Sequence, residues 1–118
     1  MEGTAMEMRL NAENVCKYGI DVRKIVATGG GANSKKWLSL KADIQNVPVR
    51  TLRSSEGGLC GCAMLQAVGT GRCKDLAEAA GIFVRYREEF LPDAAKHAAY
   101  EGQYQKYKKI YQTVKEFY

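Results

Sequence analysis

Three consecutive glycines, Gly29, Gly30 and Gly31, stand between an apolar run and a pair of lysines, Lys35 and Lys36. Residues without a Cβ are costly to order, and a fold keeps them where φ must be positive or where another group must approach the main chain. A phosphate is such a group. It accepts bonds from bare backbone N–H groups at a helix start and takes a charge-assisted bond from a lysine. A tight strand-to-helix connection that meets no ligand would use the same residues, and the glycines alone do not separate the two readings. Neither familiar phosphate loop is matched: Ser34 stands where the dinucleotide fingerprint needs Gly or Ala, and no Gly-Lys-Ser or Gly-Lys-Thr follows.

The other reactive residues point to no catalysis. Cys16, Cys60, Cys62 and Cys73 contain no Cys-x-x-Cys, and His97 is the only histidine. On a helix, Cys60 and Cys62 would lie about 200° apart around the axis, too far to share a ligand. All four cysteines read as reduced thiols in small apolar slots, and no metal site is expected. His97 reads as structural, with no carboxylate or cysteine at ligand spacing.

The elements around the glycines alternate helix and strand. Residues 1–18 place Ala5, Met8, Ala12 and Val15 on one helical face with Met1 a turn before, and Gly19-Ile20 is a stop signal. That pattern is already running at Met1 with no capping residue ahead of it, as in a piece of a longer helix. Residues 24–28 read as an interior parallel strand, because both flanking segments are helical. Ser34 can cap a helix whose stripe is Trp37, Leu40, Ile44 and Val47; Pro48 ends it, and residues 48–52 form a second short strand. Ser54 or Ser55 can cap a third helix over 56–68. Its Gly57, Gly58 and Gly61 each cost about 1 kcal/mol relative to alanine, so they imply close packing on a thin face. A short helix over 75–80 and an extended segment over 83–91 follow. Leu91-Pro92-Asp93 then starts a long last helix, residues 93–118, which sets His97, Tyr100, Tyr104, Tyr107, Tyr111, Val114 and Tyr118 along one seam about 35 Å long. At that spacing tyrosines form a packed face with their phenolic tips at the water boundary.

At 118 residues the chain fits one domain, and 46% hydrophobic with 26% charged residues is ordinary globular composition. No stretch is long and apolar enough to span a bilayer, and residues 1–7 lack the features of a signal peptide, which points to the cytoplasm. The net charge of +5 is local: residues 33–74 carry seven basic residues against Asp43 and Glu56, and the remainder is neutral. A confined positive field beside the glycines suits a small anion better than a nucleic acid, whose binders spread charge along a face; a solvated basic surface is the plain alternative.

These residues also carry a family likeness. Val26-Ala27-Thr28-Gly29-Gly30-Gly31-Ala32-Asn33-Ser34, with Trp37 and Lys41-Ala42-Asp43-Ile44, resembles the adenosine motif of the FGGY carbohydrate kinases, sugar kinases of the actin-like ATPase superfamily. Glu2-Gly3-Thr4-Ala5-Met6-Glu7-Met8-Arg9 is similar to the helix before that motif, and Gly61-Cys62-Ala63-Met64-Leu65 to its Gly-Ala-Ala helix. Phe90-Leu91-Pro92-Asp93 and the tyrosine ladder are similar to its tail. Cys60 and Cys62 depart from the usual leucine and alanine. The resemblance covers the whole chain but only about the last quarter of such a kinase. It implies an α/β fold, the C-terminal part of an actin-like (ribonuclease H-like) lobe with short parallel strands, flanking helices and the long last helix. It also implies ATP with magnesium as cofactors, and a pentulose such as xylulose as the sugar of the intact protein. Gly29, Gly30, Gly31 and Ala32 would lie against the nucleotide and Lys35 near the adenine. The catalytic aspartate and sugar pocket would lie in an N-terminal lobe absent here, and none of Asp21, Asp43, Asp75 or Asp93 matches that base. The chain alone is then expected to be inactive and, with a sheet edge and a helix face uncovered, to form a homo-oligomer. A non-catalytic oligomerising or binding module is the alternative.

Overall fold

The computed structural model describes residues 1–54 and 56–115. Ser55 and Tyr118, and the side chain of Tyr111 on the expected seam, lie outside what is described. Helix α1 (Glu2–Lys17) stops where the sequence signals it: Gly19 has φ +85°, and its N–H bonds the Cys16 carbonyl at 3.0 Å. The face α1 buries is turned from the expected stripe. Ala5 and Met6 are buried, whereas Val15 is 40% exposed. Polar contacts set this rotation. Gln45 Nε2 donates to the Ala5 carbonyl at 3.0 Å. The Arg9 guanidinium lies 3.9 Å over the Tyr104 ring while bonding Glu13 at 3.2 Å and Glu101 at 2.8 Å.

Strand β1 (Ile25–Ala27) pairs in parallel with β2 (Val49–Leu52), and β3 (Tyr86–Phe90) pairs antiparallel with the other side of β2. The order β1-β2-β3 makes β2 the interior strand. The apolar run at 24–28, expected inside, forms an edge in this sheet. Residues 83–91, read only as extended, supply the antiparallel partner. Arg50 and Glu89 face each other across β2 and β3 as an ion pair, with Arg50 also 5.3 Å over the Tyr86 ring.

Helix α2 (Lys35–Gln45) is packed on both sides. Ser34 Oγ accepts the Trp37 N–H at 3.4 Å, and Asn46 at φ 55° closes the helix two residues before Pro48. Leu38 and Ala42 cover Ala27 and Val49 of the sheet, while Ile44 packs with Ala5, Met6 and Tyr104 between α1 and α5 (Ala94–Lys115). Asp93 starts α5 as expected, its Oδ1 accepting the N–H groups of Ala95 and Lys96 at 2.9 and 3.2 Å. Tyr104 is fully buried, and flanking it Tyr100 and Tyr107 donate their hydroxyls outward to Glu2 and Glu7. Burial of one such ring contributes roughly 1.5–3 kcal/mol.

Helices α3 (Gly57–Gly69) and α4 (Leu76–Phe83) form a hairpin with its own small core of Ala67, Cys73 and Ala79. Asp75 caps α4, accepting from Glu78 N–H at 2.9 Å, and the Glu78 carboxylate returns to the Lys74 N–H at 2.7 Å. Helix α4 continues through Gly81 instead of stopping before it. The cysteines are free; Cys73 is buried, but Cys16 and Cys62 are exposed rather than slotted, because the faces that carry them meet no neighbour. The radius of gyration, 17.3 Å, exceeds the roughly 13 Å of a compact domain of this length. Among the described residues, no helix is long and apolar enough to cross a membrane.

Candidate functional site

Both parallel strands deliver their carboxyl ends to one place, where open α/β sheets take their ligands. Between these ends lies a cleft of about 140 Å³, bounded by Thr28, Ala32, Asn33, Arg53, Ser54 and Arg87 among others. The glycine loop joins two of its lining residues, Thr28 and Ala32. Gly29 has φ 75° and ψ −168°, a conformation essentially closed to residues with a Cβ. Gly30–Asn33 then make a single 3-10 turn, closed by the Ala32 N–H to the Gly29 carbonyl at 3.0 Å.

The three glycines do different things. Only Gly29 needs glycine for its backbone; Gly30 and Gly31 have ordinary φ. A Cβ at Gly30 would meet nothing within 4 Å, and one at Gly31 would rest 3.5 Å from Trp37 Nε1, an ordinary contact. Among the described residues, no acceptor bonds the N–H groups of Gly30 and Gly31. Their main chain is therefore bare for reasons internal packing does not supply. Behind it, Trp37 carries Lys41 4.7 Å over its ring, and partial burial lowers the Lys41 pKa.

Lys35 goes elsewhere. Its Nζ lies 3.3 Å from Glu88 Oε1 on β3, the oxygen that Arg87 Nε also approaches at 3.6 Å. The structure thus brings Ala32, at the end of the glycine loop, into the cleft wall, and pairs the Lys35 side chain with Glu88 of the sheet. Two cleft arginines, Arg53 and Arg87, were not singled out from the sequence. Arg53 is one of the seven basic residues of 33–74 and Arg87 lies in the extended segment over 83–91, and only the pairing of β2 with β3 unites them. Gly57 also has a verified reason: a Cβ there would sit 3.2 Å from Thr28 Cγ2, so the first turn of α3 packs on the strand exit. Gly58 and Gly61 meet open space.

A larger cavity of about 800 Å³ lies between α3 and α4, lined by Ala63, Gln66, Thr70, Cys73, Ile82 and Phe83 among others. It reflects a hairpin whose core side chains are too small to fill it, and its lining has Arg72 and Cys73 but no carboxylate or histidine. The strand-end cleft has the chemistry but not the size. At about 140 Å³ it is about half of the smallest ordinary ligand pocket, ~300 Å³, and suits a phosphate-sized group. It contains no general base. Asp21 pairs with Arg23, Asp75 and Asp93 cap helices, and buried Asp43 accepts the Asp93 N–H at 2.9 Å. Among the described residues, no group of acidic, cysteine or histidine side chains could hold a metal ion.

Residues 1–70 match the family model described as the C-terminal domain of the FGGY family of carbohydrate kinases. A xylulose kinase of Staphylococcus epidermidis is 34% identical over 116 residues, 98% of this chain and 23% of that protein. Among solved structures, a gluconate kinase from Lactobacillus acidophilus superposes with a TM-score of 0.86 at 26% identity, covering 96% of this chain and 23% of its own. A xylulose kinase from the same organism gives 0.84 at 25% identity, over 93% and 22%. The chain therefore spans under a quarter of the length of these relatives. Its mixed α/β fold with a small sheet and a long last helix is that of the actin-like kinases, as the resemblance implied. The chain belongs to the FGGY family of carbohydrate kinases and carries sequence of their C-terminal domain.

Proposed function

We propose that this chain is the nucleotide side of an ATP-dependent sugar kinase acting on a pentulose such as xylulose. The observation that carries this reading is the cleft at the carboxyl ends of β1 and β2, edged by Arg53 and Arg87, with the bare glycine backbone joining its lining residues Thr28 and Ala32. Gly29, Gly30, Gly31 and Ala32 line the approach of the nucleotide, and Lys35 stands at its outer edge. Magnesium has no carboxylate to hold it in this cleft, so it fits only as a companion of the nucleotide phosphates, where it neutralises charge during transfer. The sugar pocket and the base belong to an N-terminal lobe. Phosphoryl transfer depends on positioning both substrates, so half a site binds without turnover.

Calorimetric titration with a non-hydrolysable ATP analogue should show magnesium-dependent binding, weakened when Gly31 is replaced by a bulky residue. Binding indifferent to that replacement would remove the loop from the site. A coupled kinase assay with pentuloses should read background; turnover would show a base that this reading omits. The uncovered surface supports a second property, self-association. Strand β1 leaves one edge unpaired, and Leu59 and Leu65 are 69% and 62% exposed on α3. Light scattering should give a dimer or larger, reduced by Leu65→Lys; a monomer at high concentration would exclude it.

A further inference from the structure

We propose that Arg53, and not Lys35, takes the phosphate of a nucleoside polyphosphate in this cleft. This rests on the nucleotide reading above and assigns the charge within it. Two cations, Arg53 and Arg87, line the cleft, and Lys35 is tied to Arg87 through Glu88. Lys35 and Arg87 share one carboxylate oxygen, Glu88 Oε1, at 3.3 and 3.6 Å. A phosphate approaching either must compete with Glu88 for the cation and is repelled by it. Arg53 has no carboxylate within 4 Å among the described residues, so its guanidinium meets a phosphate without first giving up a partner. Its main chain is nonetheless fixed, the Arg53 N–H donating to the Arg85 carbonyl at 2.8 Å just past the β2–β3 pairing.

The chemistry of the walls agrees. A guanidinium binds phosphate through two parallel N–H donors, a geometry lysine cannot offer. The hydroxyl and amide groups of Ser54, Thr28 and Asn33 line the same cleft as neutral polar partners, and the unbonded N–H groups of Gly30 and Gly31 belong to the loop that joins its lining residues Thr28 and Ala32. The volume of about 140 Å³ takes a phosphate group and leaves base and ribose outside, over the loop.

The test titrates the 118-residue chain with ADP, pyrophosphate and adenosine, following the emission of Trp37, the only tryptophan, whose indole lies beside Gly31. A lost charge-assisted bond corresponds to about tenfold or more in affinity. Arg53→Gln should weaken ADP and pyrophosphate by at least about that factor and leave adenosine within about twofold. Arg53→Lys should recover part of the loss. Lys35→Gln should change ADP affinity less than Arg53→Gln, and Glu88→Gln should tighten pyrophosphate by freeing Lys35 and Arg87. Equal losses for ADP and adenosine in Arg53→Gln would show a merely structural role and overturn the assignment, as would unchanged ADP affinity or a larger loss in Lys35→Gln. Wild-type chain that binds neither ADP nor pyrophosphate would instead overturn the nucleotide reading itself.

Discussion

Gly29 and Gly30 are neighbours in sequence, yet replacing each by alanine should damage different properties. At Gly29 the backbone holds φ 75° and ψ −168°, so a Cβ is strained whatever the surrounding space, at about 1–3 kcal/mol. For a domain of this size each kcal/mol moves the melting temperature by about 4 °C, so Gly29→Ala should melt about 4–12 °C early. At Gly30 φ is ordinary and a Cβ would meet nothing within 4 Å. Gly30→Ala should therefore be neutral or stabilising by up to about 1 kcal/mol, because alanine restricts the unfolded chain. Binding should reverse the order of interest. A branched side chain at residue 30 adds bulk beside the unbonded N–H groups of the loop, so Gly30→Val should weaken ADP while the fold is kept. Urea or thermal unfolding by circular dichroism reads the first effect, and titration followed by Trp37 emission reads the second. Unfolding of Gly29→Ala at the wild-type temperature would refute the claim that the loop fixes this φ. Full ADP affinity in a folded Gly30→Val would refute the claim that the glycines are bare for a ligand.

Two further predictions concern the long helix. The Tyr104 hydroxyl is buried without a hydrogen-bond partner among the described residues, with Glu13 near but not in bonding geometry. Tyr104→Phe should then leave stability unchanged or raise it by up to about 1 kcal/mol, whereas Tyr104→Ala should lose about 3–5 kcal/mol, both read by urea unfolding. Burial first, and Glu13 next, hold the Tyr104 pKa far above the usual tyrosine value. Its stabilising share is intact below about pH 10 and falls as pH rises toward the folded pKa, so wild type should lose more stability than Tyr104→Phe at pH 11. At the helix start, the backbone N–H of Lys96 leads the contacts that lower the Asp93 pKa. A lowered carboxylate stabilises above its unfolded pKa, about 3.9, and loses this as pH falls through the folded value. The melting gap between wild type and Asp93→Ala should be full at pH 6 and narrow toward pH 2; a gap independent of pH would mean the carboxylate charge plays no part in the cap.

What was legible in the sequence is what a few neighbouring residues decide by themselves. Gly19, Ser34, Asp75 and Asp93 end or begin helices through bonds to residues at most four positions away, and each stands where a local reading puts it or within a residue or two. Where long-range contacts decide, a local reading sees less. The rotation of α1 depends on Gln45, Glu101 and Tyr104, so its own periodicity pointed to Met8 and Val15 where the fold uses Met6. Lys35 looked free for a ligand because Glu88, its partner, lies on a strand whose pairing no local pattern announces.

Strand β1 is the instructive case, because there the sequence and the sheet disagree. Ile25, Val26 and Ala27 have the apolar run of a strand buried on both faces, and parallel strands are seldom left open. Among the described residues β1 has one neighbour, and Val26 is 42% exposed. The same incompleteness recurs at other scales: a cleft about half the usual minimum volume, and a radius of gyration 17.3 Å against roughly 13 Å for a closed domain. Separate explanations are unnecessary. In kinases of which this chain matches 22 or 23%, the same fold sits within a polypeptide more than four times longer. A strand with interior composition at an edge and a ligand site of half size are what the physics of burial gives when such a fold stands alone. If so, protection of the β1 amides from hydrogen exchange should be low in the monomer and rise with concentration as copies associate. Protection at β1 equal to that at β2 in dilute solution would show that the edge is closed by the chain itself.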